Sequence, residues 1–248
     1  MSQKIKAPNE KSNGFLWGLV AIVVIAVVVI AVVVLQGRDS ASSKDIEAED
    51  VNFSVSYADG TVTLKSDNAA DDAPVVDIFE DYACPHCADL AEVDHADMKK
   101  ALDDGKLVVN LETVNILDSD GSGGINPGAA TMGGAVQMAI AKSGNVKAFW
   151  ALHDYVFSNQ SSVYRDWEYS DYADAAESLG VDKDVVDAIR DESVKDEYLD
   201  ILADNVAEMK DKGVEGTPAV FVDGQQFQLK KDPNDASKMQ SWVPEVVK

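Results

Sequence analysis

Cys84 and Cys87 are the only cysteines in 248 residues, and they lie three apart in the run Cys84-Pro85-His86-Cys87. Two thiols at that spacing, at the head of a helix, can close into a small disulfide and reopen. Only a thiolate attacks a disulfide, and a thiol in water has a pKa near about 8.5. The first turn of a helix offers free N–H groups and the positive end of the helix dipole, both of which stabilise an anion. Cys84 is expected at that end, and Pro85 suits an early helical position because its missing N–H would find no partner there. His86 brings a third donor, able to hydrogen-bond a thiolate or, once protonated, to pair with it. Cys87 is expected one turn further in and better shielded. The asymmetry assigns attack to Cys84 and resolution of the mixed disulfide to Cys87.

Each unit by which the Cys84 pKa is depressed stabilises the reduced form by about 1.4 kcal/mol near neutral pH. A stabilised reduced form makes the disulfide a stronger oxidant. A histidine between the cysteines therefore moves the expectation from reductant towards oxidant.

Other uses of the pair fit the sequence less well. A zinc site takes about four ligands, whereas the chain offers two cysteines and three histidines, none at zinc-finger spacing. Attachment of a c-type haem would need histidine at position 88, which is Ala88. A purely structural disulfide gains little from closing so short a loop. No metal and no cofactor beyond a redox-active Cys84–Cys87 disulfide is expected. His95 and His153 belong to no ligand pattern and read as structural or solvent-facing. Phe149, Trp150 and Phe157 read as core.

The elements that must position the pair follow from patterning. Val51–Tyr57 and Thr61–Leu64 flank Asp59-Gly60, a hairpin signal. Pro74 to Phe79 reads as a buried strand leading to the cysteines. A helix is expected from Cys84 to about Asp104, stopped by Gly105, and a strand from Leu107 to Leu117. Strand, helix and strand make a βαβ unit with parallel strands and a right-handed crossover. From Ala129 to Lys212 the pattern is helical, most clearly over Ser193–Lys212, where Val194, Tyr198, Ile201, Leu202, Val206 and Met209 share a face. A second hairpin is expected at Ala219–Val222 and Gln225–Leu229 about Asp223-Gly224, then a short amphipathic helix near Asp235–Val247.

Phe15 to Leu35 is apolar and uncharged throughout, reaching roughly 31 Å as a helix, the depth of a bilayer's hydrocarbon core. Lys4, Lys6 and Lys11 precede it and mark the short tail as cytoplasmic. A cleaved signal peptide has a shorter apolar region, and the nearest cleavage candidate, Ser40-Ala41-Ser42, is weak. The expected organisation is a tail over 1–14, a transmembrane anchor over 15–37, a polar linker over 38–50 and a domain over 51–248. That places the protein in a cell membrane as a single-pass protein, its C-terminal domain extracytoplasmic and in a disulfide-permissive compartment. The chain carries a net charge of −23, and every acidic residue except Glu10 lies after the apolar run. Such a surface makes nucleic acid and anionic lipid poor partners, since like charge repels.

Asp77-Ile-Phe-Glu-Asp-Tyr-Ala-Cys-Pro-His-Cys87 resembles the active-site strand and helix of DsbA-like thiol oxidoreductases, a branch of the thioredoxin superfamily. Phe149-Trp150-Ala-Leu-His153-Asp154, with Phe157-Ser-Asn-Gln160, is similar to that family's inserted helical domain. Val214-Glu-Gly-Thr-Pro218-Ala-Val-Phe-Val-Asp-Gly224 is similar to its active-site proline segment. The resemblance spans roughly Pro74 to Lys248. It implies an α/β thioredoxin-like fold, a central mixed sheet flanked by helices, with an α-helical insertion at about 125–212. It also implies that Pro218 is a cis-proline facing Cys84, that Thr217 offers backbone hydrogen bonds to an extended substrate, and that Pro85 borders the substrate. The implied reaction is donation of the Cys84–Cys87 disulfide to exported unfolded proteins with free cysteines. A membrane reoxidase of the DsbB or vitamin K epoxide reductase-like type would regenerate the disulfide.

One position departs from the family. Many relatives carry a buried carboxylate six residues before the first cysteine, where this chain has Ile78. Asp77 should point to the other side of the strand. Glu80 and Asp81 are either substitutes or merely exposed acids of an acidic protein. Two rival functions remain open on sequence: a reductase or isomerase using the same site, and a non-catalytic envelope binding module that keeps the fold.

Overall fold

The structure is a computed structural model and describes residues 46–248 apart from Gly123. The tail, the apolar run and most of the linker lie outside the described residues. Among the described residues no helix is long and apolar enough to cross a membrane.

Six strands form one mixed sheet: β1 (Ser54–Ala58), β2 (Thr61–Lys65), β3 (Val75–Glu80), β4 (Val108–Thr113), β5 (Ala219–Val222) and β6 (Gln225–Phe227). Their spatial order is β1-β2-β4-β3-β5-β6. Only β3 and β4 run parallel, with Ile78 opposite Leu111; every other neighbouring pair is antiparallel. The parallel pair is joined by α1 (Pro85–Asp103), the βαβ crossover that the sequence leads one to expect. Both hairpins turn on Asp-Gly with positive φ at both residues, 50° and 93° at Asp59-Gly60 and 49° and 77° at Asp223-Gly224. Turns of that hand match the twist of the strands they join.

Alternation along the strands builds two cores. Val62, Leu64, Val76, Ile78, Val109 and Leu111 are buried in one cluster with Leu90, Met98 and Leu102 of α1. Phe79 and Phe221 are buried in the second, with Val206, Met209 and Val214. Asp77, on the opposite side of β3 from Ile78, accepts a hydrogen bond from Asn110 Nδ2 at 2.8 Å.

Between β4 and β5 comes the helical block: α2 (Ala129–Lys142), α3 (Val146–Ser158), α4 (Gln160–Asp166), α5 (Tyr169–Ser178), α6 (Lys183–Arg190) and α7 (Ser193–Asp211). Helix α2 is buried along almost its whole length. A Cβ on Gly133 would sit 2.7 Å from Tyr82 Cβ, so only glycine lets α2 press on the loop before Cys84. Helix α3 packs on α1, and its Phe149, Trp150 and Phe157 are core, as expected.

Strand β4 and the last helix are shorter than the sequence pattern suggests. Strand β4 ends at Thr113, and Ile116–Asp118 form a single 3₁₀ turn. The expected helix over Asp235–Val247 shrinks to α8 (Val243–Val246), because Pro244 starts a helix in its first turn rather than interrupting one. The chain before it is irregular, pinned by a bridge between Lys231 and Met239 and by the buried Trp242.

Candidate active site

Strand β3 delivers the chain to Cys84, which is the N-cap of α1 with extended backbone (φ −82°, ψ 116°), and Pro85 stands in the first turn. Both cysteines are free thiols and both are buried. Across from them the peptide Thr217–Pro218 is cis, the form the resemblance implies. The Cys84 thiol lies 3.4 Å from the carbonyl oxygen of Thr217. Pro218 and Cys87 both line a small cavity beneath the site.

The two thiols are driven in opposite directions. The Cys84 pKa is lowered to about 5. A hydrogen bond from the Cys87 thiol is the largest cause; burial opposes it, and Thr217 and the backbone N–H groups of Cys87 and His86 reinforce it. Cys87 is raised well above the ordinary thiol value, first by burial and then by its neighbour Cys84. The Asp81 N–H, 3.5 Å from Cys87 Sγ, offsets only part of this. At neutral pH the pair is therefore a thiolate at the helix tip held by a neutral thiol within. This is the division of roles that position alone suggests.

The imidazole of His86 is not part of that arrangement. It is 67% exposed, and its Nδ1 pairs with Asp89 Oδ2 at 3.1 Å. What His86 gives the thiolate is its backbone N–H. The tuning expected of its side chain is carried instead by Cys87 and the helix amides.

The structure decides between readings that the sequence leaves open. Glu80 and Asp81 are not exposed acids; they retain 5% and 0% exposure. Asp81 accepts hydrogen bonds from the N–H groups of Ala83 (2.8 Å) and Leu117 (3.0 Å), which ties the active-site loop to the 3₁₀ turn after β4. Burial raises the Asp81 pKa to about 7. His153 takes the structural of its two readings and lines the same cavity as Cys87. It is 2% exposed, with Nε2 at 3.1 and 3.2 Å from the two Glu80 oxygens. Burial works to lower the His153 pKa, but Glu80, with Asp154 and Asp94, raises it above the ordinary value. His95, stacked on Trp150 with ring centroids 4.0 Å apart, is core-facing, and burial drives its pKa down to about 3.

Sequence reasoning also missed Asp94 and Trp242. The indole Nε1 donates to Asp94 Oδ2 at 2.6 Å, so the C-terminal segment is anchored under α1. Asp94 falls seven residues after Cys87, two turns along one helix face. An acid on that otherwise apolar face was the available signal. For His153 the signal was its place between Phe149 and Phe157 on the buried stripe of α3.

Comparison with known proteins supplies the class. The thioredoxin family matches residues 69–244. A thiol-disulfide oxidoreductase of Corynebacterium diphtheriae, MdbA, is 35% identical with a TM-score of 0.70, over 75% of this chain and 94% of that one. MdbA of Corynebacterium matruchotii is 30% identical with a TM-score of 0.70, over 80% and 94%. Oxidised DsbA of Mycobacterium tuberculosis, 22% identical with a TM-score of 0.55 over 69% and 86%, shares the fold. A search of curated protein sequences finds no match. The chain belongs to the thioredoxin superfamily, in its DsbA-like branch, and is a thiol-disulfide oxidoreductase.

Proposed function

We propose that this oxidoreductase works outside the cytoplasm, tethered by an anchor over 15–37, and donates the Cys84–Cys87 disulfide to exported proteins during oxidative folding. The observation that carries this reading is the opposed pair of thiols. A Cys84 thiolate with a pKa of about 5 stabilises the reduced enzyme at neutral pH, and a stabilised reduced state makes the disulfide a strong oxidant. A substrate thiolate attacks Cys84 Sγ, the Cys84–Cys87 bond breaks, and Cys87 leaves with the electron pair. A second substrate thiolate then attacks the mixed disulfide and releases Cys84 as a thiolate.

Thr217 and Pro218 form the wall a substrate strand would lie against, and Pro85 its opposite border. The Thr217 carbonyl, 3.4 Å from Cys84, is placed to accept a backbone N–H from such a strand. Leu117, 52% exposed, is tied through its N–H to Asp81 and gives an apolar step beside the site, suited to unfolded chain. The reduced enzyme needs an electron acceptor, for which a quinone-linked membrane protein of the DsbB or vitamin K epoxide reductase-like type is the partner proposed. No cofactor beyond the disulfide enters the reaction.

The test is oxidative refolding of a reduced, unfolded secretory protein by the oxidised enzyme. Disulfides should form in the substrate as the enzyme is reduced, and Cys84→Ser should abolish the transfer. Rapid reduction of substrate disulfides by the dithiol enzyme, with no forward oxidation, would favour the reductase. Full function of Cys84→Ser in cells would favour a binding module.

A further inference from the structure

A chain joined to Cys84 by a mixed disulfide has two arms, one on either side of its cysteine. The strand order β4-β3-β5 places Thr217–Pro218 on one flank of the active-site loop and the end of β4 on the other. On that second flank lies an open cavity of about 540 Å³, within the range of about 300–1,000 Å³ usual for ligand sites. Leu117 from the 3₁₀ turn and Tyr164 from α4 line it, so the thioredoxin part and the helical block each supply a wall. Both walls are tied to the loop that carries Cys84. The Leu117 N–H donates to Asp81, and Gln160 Nε2 of α4 donates to the Tyr82 carbonyl at 3.2 Å.

We infer that this cavity is the subsite for the second arm of a polypeptide substrate, the arm not laid against Thr217, and that Leu117 and Tyr164 select a large apolar residue near the reacting cysteine. This preference rests on the donor reading above and adds to it the substrate feature the site selects. Among the described residues only Val75, Leu117 and Tyr164 are large hydrophobic side chains left exposed, and two of those three line this one cavity. Tyr164 is 58% exposed. Single exposed apolar residues are ordinary, but two that share a concave wall lose that area to solvent until something fills it. A folded protein hides most of its large apolar residues, whereas an unfolded one presents them beside its cysteines, which commits the occupant to unfolded chain. From Asp81 to Cys84 the backbone spans at most about 11 Å, and an extended arm advances about 3.3 Å per residue. The selected residue therefore lies roughly two to four positions from the substrate cysteine.

The polar lining suits a neutral arm rather than an ion. Asp118 Oδ2 accepts from the N–H groups of Gly128 (2.8 Å) and Thr131 (2.7 Å), which cancels the usual attraction of the head of α2 for an external anion. Asp120 Oδ1 is held in the same way by the N–H groups of Ser122 and Gly124. Arg165 is the cation of the α4 wall, and its ion pair with Asp166 spans 3.9 Å, too long for a hydrogen bond. Its fork of N–H donors can take the carbonyl oxygens of an extended backbone, a contact that does not depend on sequence. Selection by sequence then falls to Leu117 and Tyr164.

The test is a positional scan. Oxidised full-length enzyme is mixed with an excess of a short polar peptide bearing one cysteine, and its reduction is followed by acid quench, alkylation and mass. Two peptide thiols are oxidised to a disulfide-linked dimer for each enzyme disulfide reduced. A single leucine is moved in place of serine from four positions before the cysteine to four after it. Each rate is divided by that of 2-mercaptoethanol, which has no flanking chain, so any change at Cys84 itself cancels. In the wild type, leucine roughly two to four positions to one side of the cysteine should raise the ratio about tenfold, the low end for one apolar group in a pocket. Leu117→Ser and Tyr164→Ser should each cut that advantage to about threefold or less, and Arg165→Gln should slow leucine and serine peptides alike. A flat scan in the wild type would overturn the inference without any variant having to fold. It would leave the donor reading standing and the cavity to another occupant, such as a loop of the reoxidase. A leucine advantage that survives whole in both serine variants would also overturn the inference. Failure of peptide and 2-mercaptoethanol alike to reduce the enzyme would overturn the donor reading, and this inference with it.

Discussion

Replacing Cys87 by alanine should raise the pKa of Cys84 more than replacing His86 does. The largest stabilisation of the Cys84 thiolate is the hydrogen bond from the Cys87 thiol. A hydrogen bond to a charged acceptor is worth about 1.5–3 kcal/mol, and one pKa unit corresponds to about 1.4 kcal/mol. Cys87→Ala should therefore move the Cys84 pKa up from about 5 by roughly one to two units. His86→Ala keeps the backbone N–H and removes only an imidazole already paired with Asp89. An exposed charge is screened by solvent and salt, so the shift should stay below about half a unit. The assay is the pH dependence of thiolate ultraviolet absorbance, checked by the rate of iodoacetamide alkylation. For Cys87→Ala only Cys84 remains to be titrated, which makes the reading direct. A Cys84 pKa unmoved by Cys87→Ala but raised by a unit or more in His86→Ala would refute this reasoning and return the tuning to the imidazole.

Other outcomes follow from the same geometry. Above about pH 5 reduction should take up one proton for two electrons, so the potential should fall by about 30 mV per pH unit, steepening to about 59 mV below that point; a 59 mV slope at neutral pH would contradict a Cys84 thiolate. Glu80→Gln breaks a buried pair and should destabilise the fold by about 3–5 kcal/mol in denaturant titration. His153 has a raised pKa in the folded state, so the stability it contributes is fully present below its unfolded pKa and disappears as pH rises through the folded value. The loss caused by Glu80→Gln should accordingly shrink at high pH; a loss that grows there would reverse the sign. Gly133→Ala would drive a Cβ to 2.7 Å from Tyr82 and should destabilise by about 1–3 kcal/mol, with slower reaction at Cys84; unchanged stability would show that α2 and the loop can separate.

Much of this site is legible in the residues themselves. Cys84-Pro85-His86-Cys87 announces both the chemistry and the helix that starts there, and the two Asp-Gly turns announce hairpins because few other pairs accept positive φ twice. The apolar stripe of α7 reads directly as a buried face. What could not be read is the third dimension of the polar residues. Glu80 and His153 are 73 positions apart, and Asp94 and Trp242 are 148 apart. Each looks like a stray surface group until the insertion and the C-terminal segment close over α1. Ile78 sits where relatives carry a carboxylate and is core here; alternation puts Glu80, two residues later, on the same inward face of β3, and what the sequence does not show is that His153 meets it there. His86 misled for the opposite reason: its place between the cysteines suggests a partner for the thiolate, but one turn of helix carries its ring to Asp89. The terminal helix is shorter than its amphipathic pattern suggests, because Pro244 fixes where a helix can begin.

The central claim is that the Cys84–Cys87 disulfide is an oxidant because the dithiol form holds a stabilised thiolate. Its most direct test is the equilibrium of the purified full-length protein with glutathione buffers of defined ratio at pH 7, read by acid quench and mass analysis. The account expects a potential near about −120 mV, among disulfide donors. A potential near about −270 mV would contradict it and assign the same site to disulfide reduction.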